Sequence, residues 1–468
     1  MKTRFFGLLW VALSLAGCAV GPDYKAPVMP LPEQFKESAA LWQPVKVGSV
    51  DVRDSKTDWW SPYQDSQLSA LLEKVAGANL SVAQVAAQYR QAEALLAGSR
   101  ASWWPTLSGT VSSSRGAGVS GSTITTGSPV KVTDKLSATA SWELDLWGRI
   151  SRGVESNQAA LEASEADLQA ALLSAQVTLA QSYWQWQANQ GQQKLLQDSV
   201  KAQARILEIT EARRDGGIAT AGDVAQAEAQ LNSTRAQALD LEIQQAQLSH
   251  AIAVLQGQLP GATATLRVES LPELPRIPTV LPSRLVQARP DIVAAERRVA
   301  AANAQIGVAQ AAYFPSLTLG GTGGYQDSTF KNIVSAPNRF WSVGPTLALT
   351  LFDGGARTAT RRQAEAVHEQ RAAAYRQVVL TAFQEVEDQL ATLRVLAQEQ
   401  DAQLRATDAA RQSFQLAEHQ YAAGTVSLLN VLTAQTTALN AERTLQDVQL
   451  RQLLASVALV KAVGGVWD

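Results

Sequence analysis

Two stretches of this chain, 207 residues apart, carry the same long hydrophobic pattern, and that duplication restricts the fold more than any motif does. The first stretch reads as a helix from Ser151 to Arg214 without a proline. It turns at Asp215-Gly216-Gly217 and returns as a second helix to about Leu255. The return leg places Val224, Ala227, Leu231, Thr234, Ala238, Leu241, Gln245, Leu248, Ile252 and Leu255 in steps of three and four, the spacing of a coiled-coil seam. Adding 207 gives Val431, Ala434, Ala438, Ala441, Leu445, Val448, Gln452, Ala455, Leu459 and Ala462. The outbound legs keep the same offset: Leu168, Leu172, Ala175, Leu179, Tyr183 and Trp186 correspond to Tyr375, Val379, Ala382, Val386, Leu390 and Leu393. A register held through both legs identifies a duplicated helical hairpin.

An outbound helix of roughly 65 residues extends on the order of 100 Å, longer than a globular core is thick. A long heptad helix also suits a rod or a dimeric coiled coil. The seams here are crowded with Ala, Gln and other small residues, which let helices approach closely and lie side by side as a wall.

Between the helices lie four short stretches of period two, the alternation of a strand with two different faces. In the first, Leu107, Gly109 and Val111 alternate with Thr106, Ser108, Thr110 and Ser112. The second sets Leu136, Ala138, Ala140, Trp142, Leu144 and Leu146 against Ser137, Thr139, Ser141, Glu143 and Asp145. The third puts Leu317, Leu319, Gly321, Gly323 and Tyr325 on one face, and the fourth Trp341, Val343, Pro345, Leu347, Leu349 and Leu351. A half-buried soluble sheet has the same alternation. Strands of about ten residues also cross a bilayer at a tilt. Aromatic residues at the strand ends, Trp103, Trp104, Trp147, Tyr313, Phe314, Phe340 and Phe352, suit interfacial girdles. Four strands cannot close a barrel, and an open edge in lipid leaves backbone groups unpaired at a cost of several kcal/mol each. A membrane reading therefore requires other copies of the chain.

The start of the chain points to the same compartment. Lys2 and Arg4 precede an apolar run from Phe5 to Leu13, followed by Leu15-Ala16-Gly17-Cys18. This pattern is a secretory signal, and the small residues before Cys18 resemble a bacterial lipobox, with cleavage at residue 17 and lipidation of Cys18. An ordinary signal peptide followed by an unrelated cysteine is the alternative. Cys18 is the single cysteine of the chain, so no intrachain disulfide forms. Ala19 follows it, which under the bacterial sorting rule resembles outer-membrane cargo. The formal charge of −2 becomes 38 − 42 = −4 once Lys2 and Arg4 are removed, and no basic stripe suggests nucleic acid. The expected organisation is a signal peptide over 1–17, a proline-rich strap over 18–64, a first repeat over 65–256, a linker over 257–283, a second repeat over 284–463 and a tail over 464–468.

Chemistry-bearing motifs are missing from the sequence. His250, His368 and His419 are scattered on helices, and no nucleophile motif, metal-ligand spacing or glycine-rich nucleotide loop occurs. Nothing calls for a cofactor, a metal or an enzymatic reaction.

The segments Gly17-Cys18-Ala19-Val20-Gly21-Pro22-Asp23-Tyr24-Lys25-Ala26-Pro27, Trp59-Trp60, Arg289-Pro290-Asp291-Ile292, Gly217 to Gln230, Tyr421 to Leu439 and Lys461 to Trp467 occur in a characteristic order. On the duplicated strand-and-helix plan they resemble the TolC-type outer-membrane efflux channels, specifically the lipoprotein branch with OprM and NodT-like proteins. The resemblance covers the mature chain. It implies an α+β membrane protein, in which a homotrimer forms a twelve-stranded β-barrel continuous with a twelve-helix periplasmic α-barrel. It also implies a passive exit duct for small molecules, served by a periplasmic adaptor and an inner-membrane pump and surrounded by outer-membrane lipid. A duct for type I protein secretion shares this plan, and a lipid-anchored coiled-coil scaffold without a pore is the alternative from another class. By the same resemblance Gly217 and Gly424 mark tips that meet the adaptor. Asp223 and Tyr421 occupy the linking positions of a periplasmic gate, and Asn430 and Thr433 stand where that family places a ring of aspartates. Val426 replaces an arginine that strengthens the link, so a weaker lock with less affinity for cations is expected.

Acyl chains on Cys18 contribute membrane affinity separately from the strands. Cys18→Ser behind an ordinary signal peptide should therefore still insert into the outer membrane. A variant recovered folded and soluble from the periplasm would contradict the strand assignment.

Overall fold

The computed structural model describes residues 19–30, 32, 34–37, 58–116, 131–261, 266–268, 271–275 and 288–465. Cys18, the signal peptide, Trp467 and most of the 257–283 linker lie outside the described residues. The helices are α1 (Ser66–Ala78), α2 (Leu80–Ala101), α3 (Arg149–Asp215), α4 (Ala221–Leu255), α5 (Pro290–Ala311), α6 (Ala356–Ala422) and α7 (Leu428–Ala462). The strands are β1 (Thr106–Gly116), β2 (Lys131–Leu144), β3 (Ser316–Asp327) and β4 (Arg339–Ala348). Both ends of α3 and α4 reappear 207 residues later at both ends of α6 and α7 (356 − 149, 422 − 215, 428 − 221 and 462 − 255). The ends of α2 and α5 are separated by 210 (290 − 80 and 311 − 101). The duplication read from heptads is thus a duplication of helix boundaries. No described helix is long and apolar enough to cross a membrane.

The chain divides into two compact units, each built from both repeats. One comprises Met1–Val28, Gln88–Glu165 and Ala294–Arg376. Its centre is a four-stranded antiparallel sheet in the order β1-β2-β3-β4. The register aligns the apolar alternations of all four strands. Leu107 lies opposite Ala140, which lies opposite Gly321, which lies opposite Val343. On the other face Ser108, Thr139 and Thr322 form a row, with Thr139 and Thr322 hydroxyls 3.3 Å apart. A one-residue slip at any pairing would destroy this sorting. The strands extend further at the loop side than expected, β1 to Gly116 and β3 to Asp327, while β4 ends at Ala348.

In the same unit the segment after Cys18 is docked by its backbone. Val20 N–H donates to Trp147 O at 3.0 Å, Asn303 Nδ2 donates to Pro22 O at 2.8 Å, and Arg152 pairs with Asp23 at 2.9 Å. The Tyr24 hydroxyl donates to Glu296. Gly21 has φ +115°, and a Cβ there would lie 2.5 Å from the Cα of Gly307. Two glycines back to back are what let the strap lie flush on α5.

The other unit comprises Met29–Ala87, Ala166–Val293 and Gln377–Asp468. Its largest apolar cluster joins Trp59, Trp60 and Tyr63 from the strap to Leu68, Leu72 and Val75 of α1, Tyr183 and Trp184 of α3, Ile252 of α4 and Val457 of α7. Polar tips are satisfied inside it: Tyr63 Oη lies 2.7 Å from Ser456 Oγ, and Tyr183 Oη donates to Asp65 at 2.9 Å. Asp65 also accepts from Leu68 N–H as the N-cap of α1. Every predicted heptad position of α4 and α7 is buried or half-buried. The seam glutamine Gln452 donates to Leu396 O at 3.0 Å, which explains a polar residue in an apolar register.

Gly21→Ala should release the strap. The left-handed backbone costs a side-chain-bearing residue about 1–2 kcal/mol, in addition to the collision with Gly307. Trypsin cleavage after Lys25 should accelerate while helical circular dichroism is unchanged. Cleavage at the parent rate would show that the docking is not needed to protect this segment.

Candidate functional site

The candidate functional surfaces are the strand ends of one unit and the hairpin tips of the other. At the strand ends, repeat symmetry governs the aromatics: Trp103-Trp104 after α2 recur 210 residues later as Tyr313-Phe314 after α5. Trp147 stacks on Phe314 with ring centroids 4.7 Å apart and donates from Nε1 to Pro315 O at 2.8 Å. Trp142 Nε1 donates to Trp103 O at 2.9 Å, and Tyr313 Oη donates to Thr358 at 3.1 Å. The rings are thus partly exposed while polar atoms of Trp142, Trp147 and Tyr313 are held by backbone and hydroxyl groups, the amphipathic arrangement suited to a membrane interface. Trp104 and Phe352 are largely exposed. Phe340 behaves differently. It pairs with Gly324 on the hydroxyl-bearing face, and the Lys135 ammonium stands 5.0 Å from its ring centroid. The neighbouring Trp341 is the ring on the apolar face at that end, 74 % exposed. The alternation in β4 already assigned Trp341 to that face, and by parity Phe340 to the other.

Each hairpin tip begins with the same helix stop. Gly217 and Gly424 have φ of +72° and +76°. Beyond them Ile218 N–H donates to Arg213 O at 2.8 Å, and Thr425 N–H to Gln420 O at 2.9 Å. This closure satisfies carbonyls at the helix end, and it needs glycine because the backbone is left-handed. No neighbour crowds either glycine. Behind the turns Ile206, Ala227, Leu428, Val431 and Leu432 form a small core that joins the two hairpins, with Phe414 and Tyr421 packed on it.

The candidate gate residues have local partners. Asp223 closes a capping box at the start of α4: its carboxylate accepts from Thr220 N–H and the Thr220 hydroxyl, both at 2.8 Å, and its own N–H donates to Thr220 Oγ1. Tyr421 pairs with Arg213 instead. The guanidinium lies 4.1 Å from the ring centroid, and Nη2 donates to Tyr421 O at 3.0 Å. The Tyr421 hydroxyl is 3.5 Å from Thr210 Oγ1. Within the described chain no hydrogen bond joins Asp223 to Tyr421. Asn430 and Thr433 are exposed one turn apart on α7. Asn430 is the repeat equivalent of Asp223 (430 − 223 = 207), and Ser427 makes no side-chain cap there. Only the first tip therefore carries an acid in its opening turn. Sequence reasoning missed Arg213, because its partner is in the other repeat.

Thr220 N–H, and after it the Thr220 hydroxyl, hold the Asp223 carboxyl below its usual range. A depressed folded value means that this cap is fully present above the ordinary carboxyl range near ~4 and is lost as pH falls through the folded value. Thr220→Val should raise the Asp223 titration midpoint toward that range, read by NMR of carboxyl-labelled protein. An unchanged midpoint would deny the capping box.

Comparison with known proteins accords with this geometry. The family model described as outer membrane efflux protein matches residues 71–258 and 281–465. The antibiotic efflux pump outer membrane protein ArpC of Pseudomonas putida is 31 % identical over all of this chain and 96 % of its own length. Outer membrane protein OprJ of Pseudomonas aeruginosa is 30 % identical over all of this chain and 97 % of its own. The structure of the outer-membrane channel OprN superposes with a TM-score of 0.88 at 31 % identity, covering 96 % of this chain and all of that one. The structure of the channel CusC gives 0.82 at 26 %, covering 96 % of this chain and all of that one. Strand pairs sorted into two faces and duplicated long hairpins are the β-barrel and α-barrel parts of such channels. The chain belongs to the outer membrane efflux protein family.

Proposed function

We propose that three copies of this chain close the sheet into a twelve-stranded barrel in the outer membrane, with the hairpins extending into the periplasm. The observation that carries this reading is a single apolar face shared by four antiparallel strands whose outer edges, β1 and β4, pair with nothing among the described residues. In lipid those edges must be satisfied. The assembly is the exit duct of a tripartite efflux system, an α+β channel rather than an enzyme. Lipidated Cys18 anchors each copy. A periplasmic adaptor meets the tips marked by Gly217 and Gly424, and an inner-membrane pump supplies the energy. Relatives named for antibiotic, toluene and pyoverdine export favour small molecules over secreted protein as cargo. The duct itself need not recognise what the pump has selected.

At rest the tips are held by polar contacts that involve Asp223 and Tyr421. A carboxylate accepting from a phenol is a charge-assisted bond, but Asp223 must leave its cap to make one. Arg213 already holds Tyr421 by its ring and carbonyl. The lock is therefore weak, and Asn430 and Thr433 give the constriction little attraction for cations.

Planar-bilayer recording tests this reading. The purified protein should conduct, whereas a coiled-coil scaffold would not. Tyr421→Phe and Asp223→Ala should raise the open fraction, and trivalent cations should block the parent only weakly. Parent-like conductance in both variants, together with tight trivalent block, would overturn the gate assignment.

A further inference from the structure

Two aspartates face each other where the central strands end. Asp134 of β2 lies directly opposite Asp327 of β3, on the face that carries Leu136 and Tyr325. Residues opposite each other in an antiparallel pair have Cβ atoms about 4.5–5.5 Å apart, and like charges placed so are destabilising. Asp134 is 5 % exposed, and its Oδ1 is buried without a hydrogen-bond partner. A buried carboxylate oxygen left without a partner is costly to a fold.

The surroundings do not discharge it. Asp327 accepts from Ser328 N–H at 2.6 Å and from Asn338 Nδ2 at 3.0 Å. The same Asn338 amide donates to Asn332 O at 3.2 Å, so the 328–338 connection is tied down beside the pair. These donors are neutral. In register the nearest cations are Arg115, opposite Val132, and Arg339, opposite Tyr325, each a diagonal step from one aspartate. Among the described residues neither forms an ion pair with Asp134 or Asp327. Lys135 points to the opposite face, toward Phe340. The β1–β2 connection, residues 117–130, contains no charged residue. Strands β2 and β3 are the inner pair of the sheet, so a neighbouring copy added at β1 or β4 does not reach between them.

We infer that Asp134 and Asp327 bind a hard divalent cation, calcium in particular, at the loop end of the β2–β3 pair. Two carboxylates supply the charge, and calcium completes its six to eight oxygen ligands with carbonyls and water. So few protein carboxylates place the site in the weak class of extracellular modules, with a Kd of about 10⁻⁴–10⁻³ M. On the barrel reading above, this end of the sheet faces the cell exterior, where such an affinity is useful. Bound calcium would fasten the 328–338 connection to the sheet and remove the repulsion across β2 and β3.

The test uses the full-length protein in detergent, stripped with a chelator and titrated with calcium chloride by calorimetry, with melting followed by circular dichroism. The parent should bind one calcium per chain and melt higher in calcium than in chelator. Asp134→Asn and Asp327→Asn should each weaken binding at least about tenfold and abolish the calcium-dependent shift. A parent that binds no calcium and melts identically in chelator would overturn the site, and so would binding undiminished in both variants. If either variant fails to fold, the parent's melting difference and the other variant still decide. Bilayer conductance of the same parent preparation separates the two readings: a conducting protein without calcium binding loses only this site.

Discussion

The backbone hydrogen bonds of the sheet set the terms for the rest of the molecule. Lipid offers no partner to a free N–H or C=O, and each one left open costs several kcal/mol. Among the described residues the three pairings give β2 and β3 a neighbour on each side and leave one side of β1 and of β4 open. On the proposed barrel, what suits the chain to a membrane also calls for more copies of itself. The apolar face, the outward rings of Trp104, Trp341 and Phe352, and the strap docked beside Trp147 all suit that arrangement.

Duplication solves the geometric problem that follows. A closed tube is built most simply from units with matching helix lengths, and the long helices of the two repeats match to the residue at both ends. The repeats diverge at the hairpin tips. Thr220 and Asp223 cap α4, while Ser427 and Asn430 occupy the equivalent places in α7 without a side-chain cap. Arg213 crosses between the hairpins to hold Tyr421. Two tips of one descent are thus held differently, one by its own cap and the other by its neighbour.

Much of this was legible in the sequence because periodicity survives without knowledge of contacts. Heptads gave the hairpins and their offset, and period two gave both faces of all four strands, which the register later aligned. Family resemblance supplied the class and the tips. What periodicity does not carry is pairing between distant segments. Asp134 and Asp327 are unremarkable until β2 and β3 are set in register, and Arg213 is an ordinary helix-end cation until Tyr421 is placed beneath it. Phe340 stands near a strand end, but parity decides its face, and it lies opposite Gly324 on the hydroxyl-bearing side. The resemblance places Asp223 at a linking position, while within the chain its carboxylate closes the cap of α4, a contact that needs the helix boundary to be known.

The central claim is that the sheet is completed by other copies, and the mass of the protein–detergent particle tests it most directly. Light scattering with the detergent contribution subtracted should give about three times the chain mass, each chain being 50.0 kDa before processing, with β-structure retained by circular dichroism. A monomer with its sheet intact would contradict the account.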